Sequence, residues 1–280
     1  MTKQDSIPKI IHYVWLGGNE KPQSVLDCIE SWRERCPDYE IVEWNETNFD
    51  TDGILWVKES MAQKKYAFAS DVIRLYALYE RGGVYFDTDV IVKRSFDALL
   101  ASDAFIGYEN QLWLGTAVIG AKKGNFWIKR LLDYYKSRPL LIKGKIDTTS
   151  NVMAVSAITE AYFGFKMDGG YRRIDLGAKG NISIYPSDYF FPKNYMTHKL
   201  TLTENSYAIH DFALVSSWWS PGERAGAAFA RGARRALGRH IFGFFEWLVM
   251  RHFIRGINKS IKKQAERDSI VPDTVEEQFT

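Results

Sequence analysis

The stretch at residues 69–92, ASDVIRLYALYERGGVYFDTDVIV, constrains this chain more than any other. Apolar residues at helical spacing predict a helix over 64–80, and Gly82-Gly83 offers the left-handed position at which such a helix stops. A short apolar run at 84–86 then predicts a buried strand ending in Asp87-Thr88-Asp89. Helix, glycine turn and strand with an acidic end fit an open α/β sheet, whose ligands sit outside the carboxyl ends of its strands. Asp71 and Arg74, three residues apart, project from one face of the helix. Two carboxylates at a strand end suit a hard divalent cation. Extended chain sends alternate side chains to opposite sides, so one of Asp87 and Asp89 is expected to ligate directly, the other acting through water or a ribose.

The rest of the chain agrees with that class. Residues 9–16 (KIIHYVWL) read as a buried first strand ended by Gly17-Gly18, residues 22–35 as a helix stopped by Pro37, and residues 39–44 as a second strand. The opening is therefore β-α-β. Further strands are expected at 90–92, 103–108, 113–121, 182–185 and 207–210, with helices at 54–60, 126–135 and 149–163. At 46% hydrophobic residues, 280 residues can bury a large core, and one catalytic domain is expected over 1–220. The segment between Cys28 and Cys36 reads as helix, and eight residues rise roughly 12 Å there, too far for a disulfide, so both are expected as reduced thiols. A net charge of +3 gives no case for nucleic acid as a partner.

Beyond residue 220 the character changes. Residues 221–265 are basic and amphipathic, with Glu246 the only acid between Arg224 and Lys263 and with Phe and Trp interleaved; residues 266–280 form a polar tail. Two readings compete: an interfacial helix drawn to an anionic membrane surface through 224–263, or helices packed on the catalytic domain with a solvated basic face. The apolar run at 241–250 is broken by Glu246 and is far short of the roughly 20 residues a spanning helix needs. Residues 1–8 lack an apolar signal core. The expected location is cytoplasmic, at the inner face of the membrane if the first reading holds.

A lone D-x-D is common on acidic turns; its context here is specific. Breaking the sugar–phosphate bond of a nucleotide-sugar builds negative charge on the leaving diphosphate, and a cation bridging the phosphates stabilises it. The run SDVIRLYALYERGGVYFDTD resembles the core signature of glycosyltransferase family 32, a group with fungal initiating mannosyltransferases, bacterial capsule and lipopolysaccharide enzymes, and the clostridial glucosylating toxins. IPKIIHYVWLGG resembles that family's opening strand, and His210 followed by Ser216-Ser217-Trp218-Trp219 is similar to its closing element. The resemblance implies an α/β fold of GT-A type (a Rossmann-like mixed sheet flanked by helices), a divalent cation and retention of anomeric configuration.

By position, the resemblance implies that Trp15 stacks on the base, Asn45 and Ser70 touch the nucleoside, and Asp71 and Arg74 grip the donor sugar. It also implies that Tyr85 lies beside sugar or phosphate. Asp87, Asp89 and His210 hold the metal, and Ser217 with Trp218 (or Trp219) reaches the β-phosphate. The toxins use Glu where His210 stands, and an imidazole favours Mn²⁺ over Mg²⁺. Gln111, Gly115 and Thr116 are candidates for sugar choice. The reading is a hexosyltransferase using a UDP- or GDP-sugar and a glycan or glycolipid acceptor, in capsule, exopolysaccharide or lipopolysaccharide assembly. Its rivals are a toxin-like transferase acting on protein, a metal-dependent phosphohydrolase or pyrophosphorylase, and a non-catalytic glycan- or membrane-binding protein.

Overall fold

Parallel strands need a crossover, and the first helix supplies it. The computed structural model describes residues 6–136, 138–164, 167–195 and 197–212. In it β1 (Ile10–Val14) leads through α1 (Gln23–Arg35) to β2 (Glu40–Trp44), parallel to β1. Helices α2 (Leu55–Ala62) and α3 (Tyr66–Arg81) follow, and β3 (Gly83–Phe86) lies on the other edge of β1, again parallel. Next come β4 (Val90–Val92), β5 (Ala104–Asn110), β6 (Trp113–Ala121), α4 (Phe126–Tyr135) and a hairpin of β7 (Leu141–Ile142) and β8 (Lys145–Ile146). The series closes with α5 (Asn151–Phe163), β9 (Arg172–Asp175), β10 (Asn181–Tyr185), α6 (Ser187–Phe190) and β11 (Ala208–His210).

Seven strands form one mixed sheet in the order β2-β1-β3-β6-β5-β10-β9. Strand β6 is antiparallel to both β3 and β5, β10 is parallel to β5, and β9 is antiparallel to β10. This is the GT-A-type mixed sheet flanked by helices that the sequence led us to expect. Sequence reading passed over β9, α6 and the β7–β8 hairpin; two to four residues each are too short for a periodic signal. Cys28 and Cys36 are buried free thiols, as expected. The segments 221–265 and 266–280, and Ser216, Ser217, Trp218 and Trp219, lie outside the described residues.

The sheet separates two cores. One joins Ile73, Leu78, Trp56 and Trp127 on the face covered by α2 to α5. The other joins Trp32, Phe86, Phe96 and Phe190 on the face covered by α1 and the β4–β11 pair. The buried tryptophans carry polar N–H groups that need partners. Trp32 donates to the Val90 carbonyl at 2.7 Å and Trp127 to the Thr159 hydroxyl at 3.0 Å. The Trp32 bond fixes β4, and hence the segment just past the acidic turn, against α1.

Three local features shape the ends of the central strands. Gly82 ends α3 with φ 68° and ψ 177°, an extended left-handed conformation essentially confined to glycine, rather than the αL conformation expected. A Cβ there would stand 2.6 Å from the Lys123 amide nitrogen. Secondly, β5 and β6 lose register twice. Between Ile106 and Gly107 of β5, the facing residue jumps from Ile119 to Gly115, leaving Thr116, Ala117 and Val118 unpaired on that side. Between Tyr108 and Asn110 the facing residues are Leu114 and Trp113, so Glu109 is a one-residue bulge. Thirdly, β11 pairs antiparallel with β4, setting His210 opposite Val90.

Candidate active site

Asp87 follows the last residue of β3, and its amide donates to the Ala117 carbonyl in the β6 bulge at 2.9 Å. The Val90 amide then bonds back to the Asp87 carbonyl at 3.0 Å, closing a turn over 87–90. This corrects the extended alternation expected from the sequence: a turn carries Asp87 and Asp89 to the same side. Because β11 lies on β4, the Asp211 amide bonds the Asp89 carbonyl at 2.9 Å and His210 comes beside Asp89. One ligand atom from each of Asp87, Asp89 and His210 lies within 4.8 Å of the others.

His210 and Asp89 are buried, with Nε2 3.2 Å from the Asp89 Oδ1. Burial alone would depress the imidazole, but the Asp89 carboxylate outweighs it and holds the histidine above its ordinary value. Its Nδ1 is buried without a hydrogen bond. Two carboxylates and an imidazole with an unused buried nitrogen fit a divalent cation of intermediate hardness. Those three residues can hold one.

Arg74 is buried at the centre of the charge network. It reaches Asp71 at 2.9 Å, Asp87 at 3.3 Å and the Thr116 carbonyl at 2.8 Å, and stacks 4.7 Å from the centroid of the Tyr85 ring. Tyr85 donates its hydroxyl to Asp87 at 2.8 Å, and burial pushes that phenol well above its usual range. The helix face shared by Asp71 and Arg74 thus meets the strand end that carries Asp87. Burial pushes Asp71 up to about 7, with Arg74 pulling the other way. Asn151, the first residue of α5, donates to Asp71 at 2.5 Å. Arg74 and Asn151 both bond Oδ1; among the described residues no hydrogen bond reaches Oδ2.

These groups line one cavity of about 1820 Å³ along the carboxyl ends of β1, β3, β5 and β10. That exceeds the usual few hundred to roughly 1,000 Å³ of a single small-molecule pocket, leaving room for two substrates. Trp15, Ser70, Asp71, Arg74, Tyr85, Asp87, Asp89 and His210 all line it. Trp15 is half-buried and donates its indole N–H to the Asn19 carbonyl at 2.7 Å. Ser70 donates to the Ala67 carbonyl at 2.8 Å. Asn45 does not reach the cavity. Its Oδ1 caps the following turn at the Thr47 amide, 2.9 Å, and its Nδ2 holds Glu43 at 3.0 Å. Gln111 and Thr116 border the cavity, whereas the space beside Gly115 is filled by the Phe191 ring.

Sequence reasoning missed Asn151, Glu109 and the Thr116 carbonyl. Glycines in two adjacent strands, Gly107 on β5 with Gly115 and Gly120 on β6, were the one available signal of a register break.

Residues 22–106 match the family described as a glycosyltransferase sugar-binding region containing a DXD motif. The chain is 32% identical over 124 residues to inositol phosphoceramide mannosyltransferase 3 of Schizosaccharomyces pombe, an alignment covering 43% of this chain and 35% of that protein. It is 25% identical over 226 residues to mannosyl phosphorylinositol ceramide synthase SUR1 of Saccharomyces cerevisiae, covering 77% and 55% respectively. The chain thus spans between about a third and just over half of the length of these relatives. Among solved structures, a glycosyltransferase involved in glycosylation of the major capsid of PBCV-1 aligns at a TM-score of 0.41 and 12% identity, covering 75% of this chain and 97% of that one. Residues 22–106, with Asp87-Thr88-Asp89 inside them, thus match a DXD-containing glycosyltransferase sugar-binding region, in agreement with the resemblance to family 32.

Proposed function

We propose that the chain is a retaining hexosyltransferase that moves a sugar from a nucleoside-diphosphate donor, UDP- or GDP-linked, to a hydroxyl of a glycan or glycolipid. The observation that carries this is the meeting of Asp87, Asp89 and His210 with the Asp71–Arg74 pair in one cavity with room for two substrates. Asp87, Asp89 and His210 would hold a divalent cation, Mn²⁺ in preference to Mg²⁺ because of the imidazole. When bound, that cation supplies positive charge against the diphosphate as it leaves. Trp15 offers an aromatic face for the base. Asp71 accepts sugar hydroxyls on its unused Oδ2, while Arg74 and Asn151 fix its orientation through Oδ1. The acceptor oxygen bonds to the anomeric carbon as the bond to the phosphate oxygen breaks, and the acceptor proton passes to a β-phosphate oxygen. The names of the yeast relatives put mannose first among donor sugars and an inositol phosphoceramide among the acceptors to try.

The test is thermal-shift binding of a nucleotide-sugar panel with and without Mn²⁺, on wild type and on Asp89→Ala. A donor-specific, Mn²⁺-dependent rise in Tm that disappears in the variant is expected; no rise with any donor would refute the reading. We further propose that residues 224–263 hold the protein at an anionic membrane on the cytoplasmic side. Unchanged sedimentation with anionic vesicles after deletion of 221–280 would refute that part alone.

A further inference from the structure

Resting on the transferase reading above, the second register break locates the acceptor. In the sheet order, β1 with Trp15 lies on one side of β3, and β6 and β5 lie on the other. Strands are spaced about 4.8 Å apart, so the end of β5 stands roughly 10 Å from the acidic turn, away from Trp15. The bulge there sets Glu109 outside the ladder, opposite no residue of β6, with Trp113 facing its neighbour Asn110. A bulge re-aims a side chain, and both Glu109 and Trp113 border the cavity.

Glu109 is half-buried, and among the described residues no hydrogen bond or ion pair holds its carboxylate. It lies within electrostatic range of His210 and Asp87, yet it does not join the cluster whose ligand atoms fall within 4.8 Å. A carboxylate kept partly from water and lacking protein donors has unused acceptor capacity. Burial also pushes that carboxyl above its usual range, with His210 pulling it down. Hydroxyl groups supply the missing donors.

We propose that Glu109 marks the acceptor subsite: its carboxylate accepts a hydrogen bond from a hydroxyl of a sugar headgroup at the cavity wall beside Trp113, which is itself buried at 6% exposure. Glu109 is a positioning residue for the incoming hydroxyl. The acceptor proton leaves with the diphosphate, and Glu109 neither gains nor loses one across the step.

The experiment uses the full chain, the donor identified by the panel with Mn²⁺, and octyl mannoside, glucoside and galactoside as acceptor probes, on wild type, Glu109→Ala and Glu109→Gln. Donor binding by thermal shift is expected to match wild type in both variants. Acceptor kcat/KM falls about tenfold to a hundredfold in Glu109→Ala, mostly through KM, and recovers in part in Glu109→Gln, whose amide oxygen still accepts. Loss of donor binding in Glu109→Ala overturns the proposal by moving the residue to the donor site, and unchanged transfer overturns it outright. Failure of every octyl glycoside to bind to or react with a donor-competent wild type overturns the sugar headgroup. A wild type that binds no donor overturns the transferase reading first, a result visible before any variant is made.

Discussion

Replacing Arg74 by methionine removes the one cation that the described structure places between Asp71 and Asp87. The arginine side chain is 5% exposed, Asp71 13% and Asp87 26%, so solvent screens the network only weakly. Removing one partner of a buried pair costs about 3–5 kcal/mol, because the remaining charge stays buried without compensation. The Thr116 carbonyl, 2.8 Å from Nη1, loses its donor as well, a penalty of about 1–3 kcal/mol that overlaps with the first rather than adding fully. Methionine fills much of the stem volume, so little of the loss is a cavity effect. The expected loss is about 4 kcal/mol in urea denaturation at pH 7.5 with chelator present. Adding Asp71→Asn removes one stranded carboxylate, so the double variant should recover about 1–2 kcal/mol of the loss. Mn²⁺ should stabilise Arg74→Met more than wild type, since a cation at Asp87 and Asp89 stands in for the missing charge. A loss below about 1 kcal/mol, the range of an exposed pair, would refute the argument that Arg74 holds the carboxylates together.

His12 is buried, with Nε2 donating to the Gly82 carbonyl at 2.8 Å and Nδ1 accepting from the Trp44 indole at 3.1 Å, and burial lowers it to about 4. The unfolded chain takes up that proton near pH 6.5 and the folded chain only near 4, so the contribution is intact above about 6.5 and drains away as pH falls towards 4. A loss of about 3 kcal/mol across that window is expected; His12→Gln should flatten the pH slope in urea melts, and an unchanged slope refutes the assignment. Gly82→Ala must adopt a left-handed extended conformation with its Cβ 2.6 Å from the Lys123 nitrogen, so at least about 2 kcal/mol should be lost in the same assay. A smaller loss would mean that the α3–β3 joint yields.

How much of this was legible follows from what each feature depends on. The α3 face and the acidic end of β3 are local: spacing of three residues fixes Asp71 with Arg74, and glycine followed by a short apolar run fixes where the strand stops. The family resemblance of the segment before Ser216 marked His210, but only the β4–β11 pairing explains why it meets Asp89. Asn151 meets Asp71 across 80 residues of chain, and nothing near 151 announces that partner. Asn45 illustrates the converse. Its position after a strand end suited a ligand contact, but an asparagine two residues before Thr47 finds a cheaper partner in its own turn. The Thr116 carbonyl was beyond any residue-type argument, because backbone presentation depends on register and not on side-chain identity.

That register break also explains how a sheet can carry a charged centre on its edge without leaving backbone groups stranded. In a regular β5–β6 ladder the Thr116 carbonyl would be taken by the neighbouring β5. Released by the break, it takes Arg74, while the Ala117 carbonyl, on the β3 side, takes the Asp87 amide and continues the β3–β6 ladder. Buried polar groups need such partners. The guanidinium is therefore anchored to the sheet itself as well as to the carboxylates, and stays in place when their charge is shared with a cation. The same opening reaches the third member of the metal cluster. At Gly115 the Phe191 ring comes so close that a Cβ would lie 2.2 Å from it, and that ring stands edge-on to His210 with centroids 5.7 Å apart. Phe212 packs on the other contact of the imidazole at 4.0 Å. A side chain at 115 would displace Phe191 and loosen one wall of the histidine's slot. The place of His210 beside Asp89 is thus set from β6 as well as from β11, so the glycine belongs to the design of the centre although it touches neither metal ligand nor cavity.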